Sequence, residues 1–143
     1  MLIKNANIYF QNLLVPVYLV KKLYQLVPAY TEDDNVVGKL NLFQYVQKDG
    51  TSINLPTYEE VFEWFRNRGF YFDIRYNFDN EISSDSDETN WYFYELWIDD
   101  GDEGIIEKKW FKSYKQTREH LLNRIVETCG EKYGNSLPKL YDI

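Results

Sequence analysis

The chain has 143 residues, 23 acidic against 16 basic side chains, and a net charge of −7. This length suits one domain whose core needs no disulfide or metal staple. The acidity weighs against a general binder of nucleic acid or of an anionic membrane surface, since both require a basic face.

The 13 Tyr, 9 Phe and 4 Trp form an aromatic excess that favours strands and large buried or interface area. Cys129 is the only cysteine. An internal disulfide framework is therefore excluded, and a cytosolic compartment is expected. No charged leader with a long apolar run opens the sequence. Leu13 to Val27 carries Lys21 and Lys22 in mid-run and is too short to span a bilayer.

In chain order, Leu2 to Phe10 predicts a short strand. Residues 16–27 predict the first helix, with Pro16 at its first position and Leu19, Val20, Leu23, Leu26 and Val27 at helical spacing. Pro28 stops it. Thr31 to Asn35 is a polar loop. Val36 to Val46 alternates as a strand, Asp49-Gly50 marks a turn, and Ser52 to Leu55 can pair back.

The central unit runs from Leu55 to Phe78. Thr57 and Glu60 have capping-box spacing, and Tyr58, Val61, Phe62 and Phe65 fall on one helical face. Gly69 suits the left-handed residue that closes a helix. Phe70, Phe72, Ile74, Tyr76 and Phe78 then alternate with Tyr71, Asp73, Arg75 and Asn77, a period-two strand with one apolar face.

Residues 79–90 form a polar, acidic loop. Trp91 to Ile98 predicts a second strand, with Tyr92, Tyr94, Leu96 and Ile98 inward. Glu95 shares the other face with Trp91, Phe93 and Trp97, so that face is expected to be partly solvated. Asp99 to Gly104 is an acidic turn, and Ile105 to Phe111 a third strand with Lys108 and Lys109, suited to an edge. Ser113 and Gln116 have capping spacing before a helix from Tyr114 to about Thr128. Its buried face is Thr117, Leu121, Leu122, Ile125 and Cys129, and Gly130 is expected to end it. In the tail, Leu137, Leu140 and Tyr141 can dock.

The sum is one α+β domain over residues 1–143: an antiparallel meander of three or more strands with two to three helices packed on one face. Residues 51–130 are its most sharply marked unit.

PTYEEVFEWFRNRG with its following aromatic strand, the second strand and the helix start SYKQTREHLL together resemble a recurring pattern. It belongs to small proteins of bacteriophages and Bacteroidetes-type bacteria that carry no assigned activity. The resemblance spans roughly residues 50–128 and implies a genomic setting, phage-associated, more than a chemistry. Residues 79–90 make a longer insertion than that pattern has.

No catalytic constellation stands out. His120 and Cys129 lie nine residues apart on one helix, about 180° apart around its axis, which prevents a dyad. One His and one Cys argue against a zinc site, which takes three or four Cys, His or carboxylate ligands at suitable spacing. Neither Asp85, Asp87 and Glu88 nor Asp99, Asp100, Asp102 and Glu103 matches a calcium loop, and both read as solvated turns. Glu59 and Glu60 point apart on their helix. Gly101 and Gly104 sit among acids that would repel phosphate. No cofactor or metal is expected, and the chain is not expected to be an enzyme.

The aromatics remain. Trp64 lies about 110° from the centre of its helix's apolar stripe, at the flank. With Trp91, Trp97 and the acids Asp99, Asp100 and Asp102, it forms the candidate partner-binding set. The central unit leaves its outer side for function, chiefly Trp64, Arg68, Asp73 and Arg75. The favoured expectation is a cytoplasmic, non-enzymatic accessory protein that binds a protein partner or self-associates through the edge strand Ile105 to Phe111. The alternatives are an acidic mimic of DNA that antagonises a host defence protein, and a small-molecule binder or enzyme with a pocket lined by Tyr76, Tyr92 and Tyr94.

Overall fold

The computed structural model describes residues 12–31, 34, 44–78, 90–98 and 104–133. The predicted strand Leu2 to Phe10, most of the strand Val36 to Val46, the acidic segments 79–89 and 99–103, and the docking residues Leu137, Leu140 and Tyr141 lie outside them. Among the described residues, three helices and five strands follow in the order α1 (Val17–Leu26), β1 (Gln44–Val46), β2 (Ser52–Asn54), α2 (Tyr58–Arg66), β3 (Tyr71–Tyr76), β4 (Tyr92–Ile98), β5 (Ile105–Phe111) and α3 (Tyr114–Tyr133). β1 and β2 form a small antiparallel hairpin, and β3, β4 and β5 form an antiparallel meander. The architecture is α+β.

The α2 unit is closed at both ends by local chemistry. Thr57 Oγ1 accepts from the Glu60 N–H at 3.1 Å, and Glu60 Oε1 accepts from the Thr57 N–H at 3.1 Å. At the other end Gly69 takes φ of 88°. Its N–H donates to Arg66 O at 3.1 Å, and the Phe70 N–H reaches back to Phe65 O at 3.1 Å. The Phe65 and Phe70 rings meet edge to face at 5.2 Å. This is a complete Schellman closure with its apolar clasp, and a side chain at position 69 would be strained. The chain therefore turns directly from helix into β3. Before α2, residues 13–15 run beside its start, with bonds from Val15 N to Pro56 O and from Tyr58 N to Leu13 O, each 3.0 Å.

The core lies between the sheet and the helices. Leu19, Val20 and Leu23 of α1, Val61, Phe62 and Phe65 of α2, Tyr94 and Leu96 of β4, and Leu121, Leu122, Ile125 and Cys129 of α3 are all buried. Each fully buried large apolar side chain contributes about 1.5–3 kcal/mol relative to exposure. β4 is central, and its inward row was readable from alternation: Tyr94 and Leu96 are buried, with Phe72, Ile74, Ile98 and Phe111 packed against the same core. Lys22 ties α1 to α3, its Nζ lying 2.7 Å from Asn123 Oδ1 and 2.8 Å from Glu127 Oε2.

Two expectations about helix ends are corrected. Pro16 is the cap residue before α1 rather than its first helical residue, and its carbonyl accepts from Leu19 and Val20. Gly130 does not end α3, which continues to Tyr133. A Cβ at Gly130 would stand 3.2 Å from Leu26 Cβ, so the glycine lets α1 approach α3 closely. The sequence cue for a helix stop and that for a close helix contact are the same letter.

Candidate functional site

The predicted site residues separate in space. Trp64 is not at an exposed flank: it is 7% exposed. Tyr30, from the turn after α1, meets it edge-on at 5.2 Å, and Phe65 does so at 5.1 Å. The Arg68 guanidinium lies 3.6 Å above its ring, and Arg68 Nη1 donates to Trp64 O at 3.1 Å. Burial lowers the Arg68 pKa from its ordinary value, with the charge of Asp34 opposing. Helical geometry alone put Trp64 at the margin; a residue thirty-four positions earlier in the chain covers it.

Trp97 and Trp91 stand at opposite ends of β4, roughly 20 Å apart at strand rise. Trp97 is half-buried on the outer face of the sheet, in register with Tyr71, which is 62% exposed, and with Ile106. Between them on that face, Phe93 is buried rather than solvated. Trp110 packs on it at 6.1 Å, and Lys108 Nζ lies 4.6 Å from its ring centre. Asp99, Asp100 and Asp102 are outside the described residues.

Trp91 is 45% exposed and joins a cluster at the end of the sheet formed by the start of β4 and the end of β3. Its ring stacks on Tyr76, with centroids 6.2 Å apart and planes at 16°. Tyr76 meets Phe78 at 4.9 Å and Tyr92 at 5.4 Å, both edge to face. Tyr92 meets Tyr114, the first residue of α3, at 5.9 Å. Phe78 is 83% exposed, and Tyr76 and Tyr114 are also exposed. These rings form a connected aromatic ridge. The buried Asn77 fixes its base: its side-chain amide donates to Asn90 O at 2.8 Å, and its backbone N–H donates to Trp91 O at 2.8 Å. The sequence signal that could have located the ridge was Phe78, an apolar residue continuing the alternation into a polar segment.

Of the tyrosines Tyr76, Tyr92 and Tyr94, the first two are ring partners in the ridge, and the third belongs to the core. Tyr94 is buried, and its hydroxyl lies 3.3 Å from Glu107 Oε1, whose other oxygen accepts from Arg124 Nε at 2.8 Å. Burial first, then Glu107, pushes the Tyr94 phenol well above its ordinary pKa. Burial also raises the Cys129 thiol to about 11, so the protonated form prevails near neutrality. His120 is exposed and stacks on Phe111 at 4.6 Å. Among the described residues, no group of three His, Cys, Asp or Glu stands close enough to hold a metal ion, and no helix is long and apolar enough to cross a membrane.

No protein family, curated protein or solved structure matches this chain.

Proposed function

We propose that this protein is a non-enzymatic, phage-associated accessory protein that works in the bacterial cytoplasm by binding another protein through the aromatic ridge. The observation that carries this reading is the exposure of Trp91, Tyr76, Phe78 and Tyr114 as one connected surface. Rings of this kind present large, rigid contact area at low conformational cost, and such residues dominate interface energetics. The net charge of −7 favours a basic partner. Arginine or lysine side chains of such a partner would stack on Trp91 and Tyr76.

The test is affinity capture from host lysate with the unmodified chain and with Trp91→Ala/Tyr114→Ala side by side. At least one protein should be retained by the first and lost with the second. Identical recoveries from both would remove the ridge as the binding surface.

A further inference from the structure

The edge of the meander at β3 carries a second kind of information. Asn77 donates its backbone N–H to Trp91 O, and the register that pairs Tyr76 with Tyr92 continues through this pair. Bonded and non-bonded pairs alternate in an antiparallel ladder. Arg75, Asp73 and Tyr71 therefore turn their backbone groups toward β4, whereas Tyr76, Ile74 and Phe72 turn theirs away from it. Among the described residues, none pairs with the outward N–H and C=O groups of Phe72 and Ile74; Tyr76 O takes one bond, from the Phe78 N–H at 3.0 Å. The strand contains no proline or lysine, and every one of its residues is in register with β4. It thus lacks the proline, lysine and bulge that commonly blunt an edge, and its two charges, Asp73 and Arg75, are of opposite sign.

The side chains on this edge are self-complementary. Asp73 and Arg75 sit on the outer face, both half-exposed, with Arg75 Nε 3.1 Å from Asp73 Oδ2. Consider a second β3 laid antiparallel along the first with a two-fold axis at Ile74. Ile74 then faces its own copy in a bonded pair, and each Phe72 faces a Tyr76. Each Asp73 faces an Arg75 in the close, non-bonded position. Asp73 is also the direct cross-strand partner of Glu95 on β4, which Lys108 of β5 flanks from its other side; a second Arg75 would add a cation on the open side of Asp73. An axis at Asp73 or at Arg75 would instead set like charges together. At β5, the mid-strand axis falls on Lys108 and opposes lysine to lysine.

We propose that β3 is a homodimerisation edge, and that two copies of this chain join their meanders into one continuous sheet about a two-fold axis at Ile74. The assignment moves self-association from β5, where the sequence pattern placed it, to β3. Tyr76 belongs to both this edge and the aromatic ridge, but the two readings are tested apart, because Asp73 and Arg75 are not residues of the ridge and Trp91 and Tyr114 are not residues of β3.

The test is sedimentation equilibrium of the full chain over a wide concentration range, with circular dichroism to confirm folding. The unmodified chain should dimerise. Asp73→Arg alone and Arg75→Asp alone each set like charges across the axis and should weaken the dimer by about tenfold or more. The doubly exchanged Asp73→Arg/Arg75→Asp chain restores opposite charges in the same register and should recover the dimer. Both positions are half-exposed, so the fold tolerates these changes. A chain that stays monomeric, a dimer that survives either single exchange, or a double exchange that fails to restore it would each overturn the assignment.

Discussion

Both ends of β3 carry aromatic side chains, yet they meet opposite surroundings. At the Phe70–Phe72 end, the rings lie under α2: Phe65 closes on Phe70 at 5.2 Å, and Phe62 packs on Phe72 at 5.2 Å. Arg66 adds its guanidinium 4.9 Å from the centre of the Phe72 ring. At the Tyr76–Phe78 end, the rings touch chiefly one another and Trp91, and they remain exposed. The alternation is the same along the whole strand. What differs is the layer above it: a one-glycine turn holds α2 over the first end, whereas at the second end the helical neighbour is Tyr114, the first residue of α3, reached through Tyr92. A sheet face acquires a stability role or a surface role according to what covers it.

Phe65→Ala should produce the largest effect. The ring is fully buried at the packed end, and its loss should cost about 3–5 kcal/mol, read by urea denaturation. A cost below about 1 kcal/mol would mean that this end is as loosely built as the other.

The alkaline limb of the stability curve should show an intermediate effect. Cys129 is buried beside the same helical layer, and its thiol is raised from an ordinary value of 9.0 to about 11. The fold favours the protonated thiol, so this contribution is complete below about pH 9. It should decline as pH rises from 9 toward 11, because the unfolded chain releases the proton first. In Cys129→Ala the decline should begin later, where the buried phenols of Tyr30, Tyr58 and Tyr94, also raised by burial, begin to ionise in the unfolded chain. Identical curves for the two proteins between pH 9 and pH 10 would refute the assignment to Cys129.

Phe78→Ala should have the smallest effect. In dilute solution the unfolding free energy should change by no more than about 0.5 kcal/mol, since the ring is 83% exposed. A cost comparable to Phe65→Ala would erase the difference between the two ends.

Much of the fold was legible because it is written locally. Thr57 with Glu60, Gly69, and the alternation through Phe72 and Ile74 each act within a few residues, and each took its predicted role. The site was less legible. Trp64 read as a flank residue, because the helical wheel does not contain Tyr30 or the conformation of Arg68. Trp91 and Trp97 read as sharing one face of β4, yet Trp91 stacks on Tyr76, which the alternation put on the other face of the sheet.

The sequence by itself determined the caps, the periods and therefore which residues could face a core, since these follow from backbone geometry over one or two turns. Only the tertiary structure decided which half-apolar surfaces are covered. Gly130 became a crossing point because Leu26 lies against it, and Phe93 became buried because Trp110 lies beside it. Exposure at the ridge likewise depends on neighbours brought together from distant parts of the chain, since Trp91 and Tyr114 join Tyr76 from other elements.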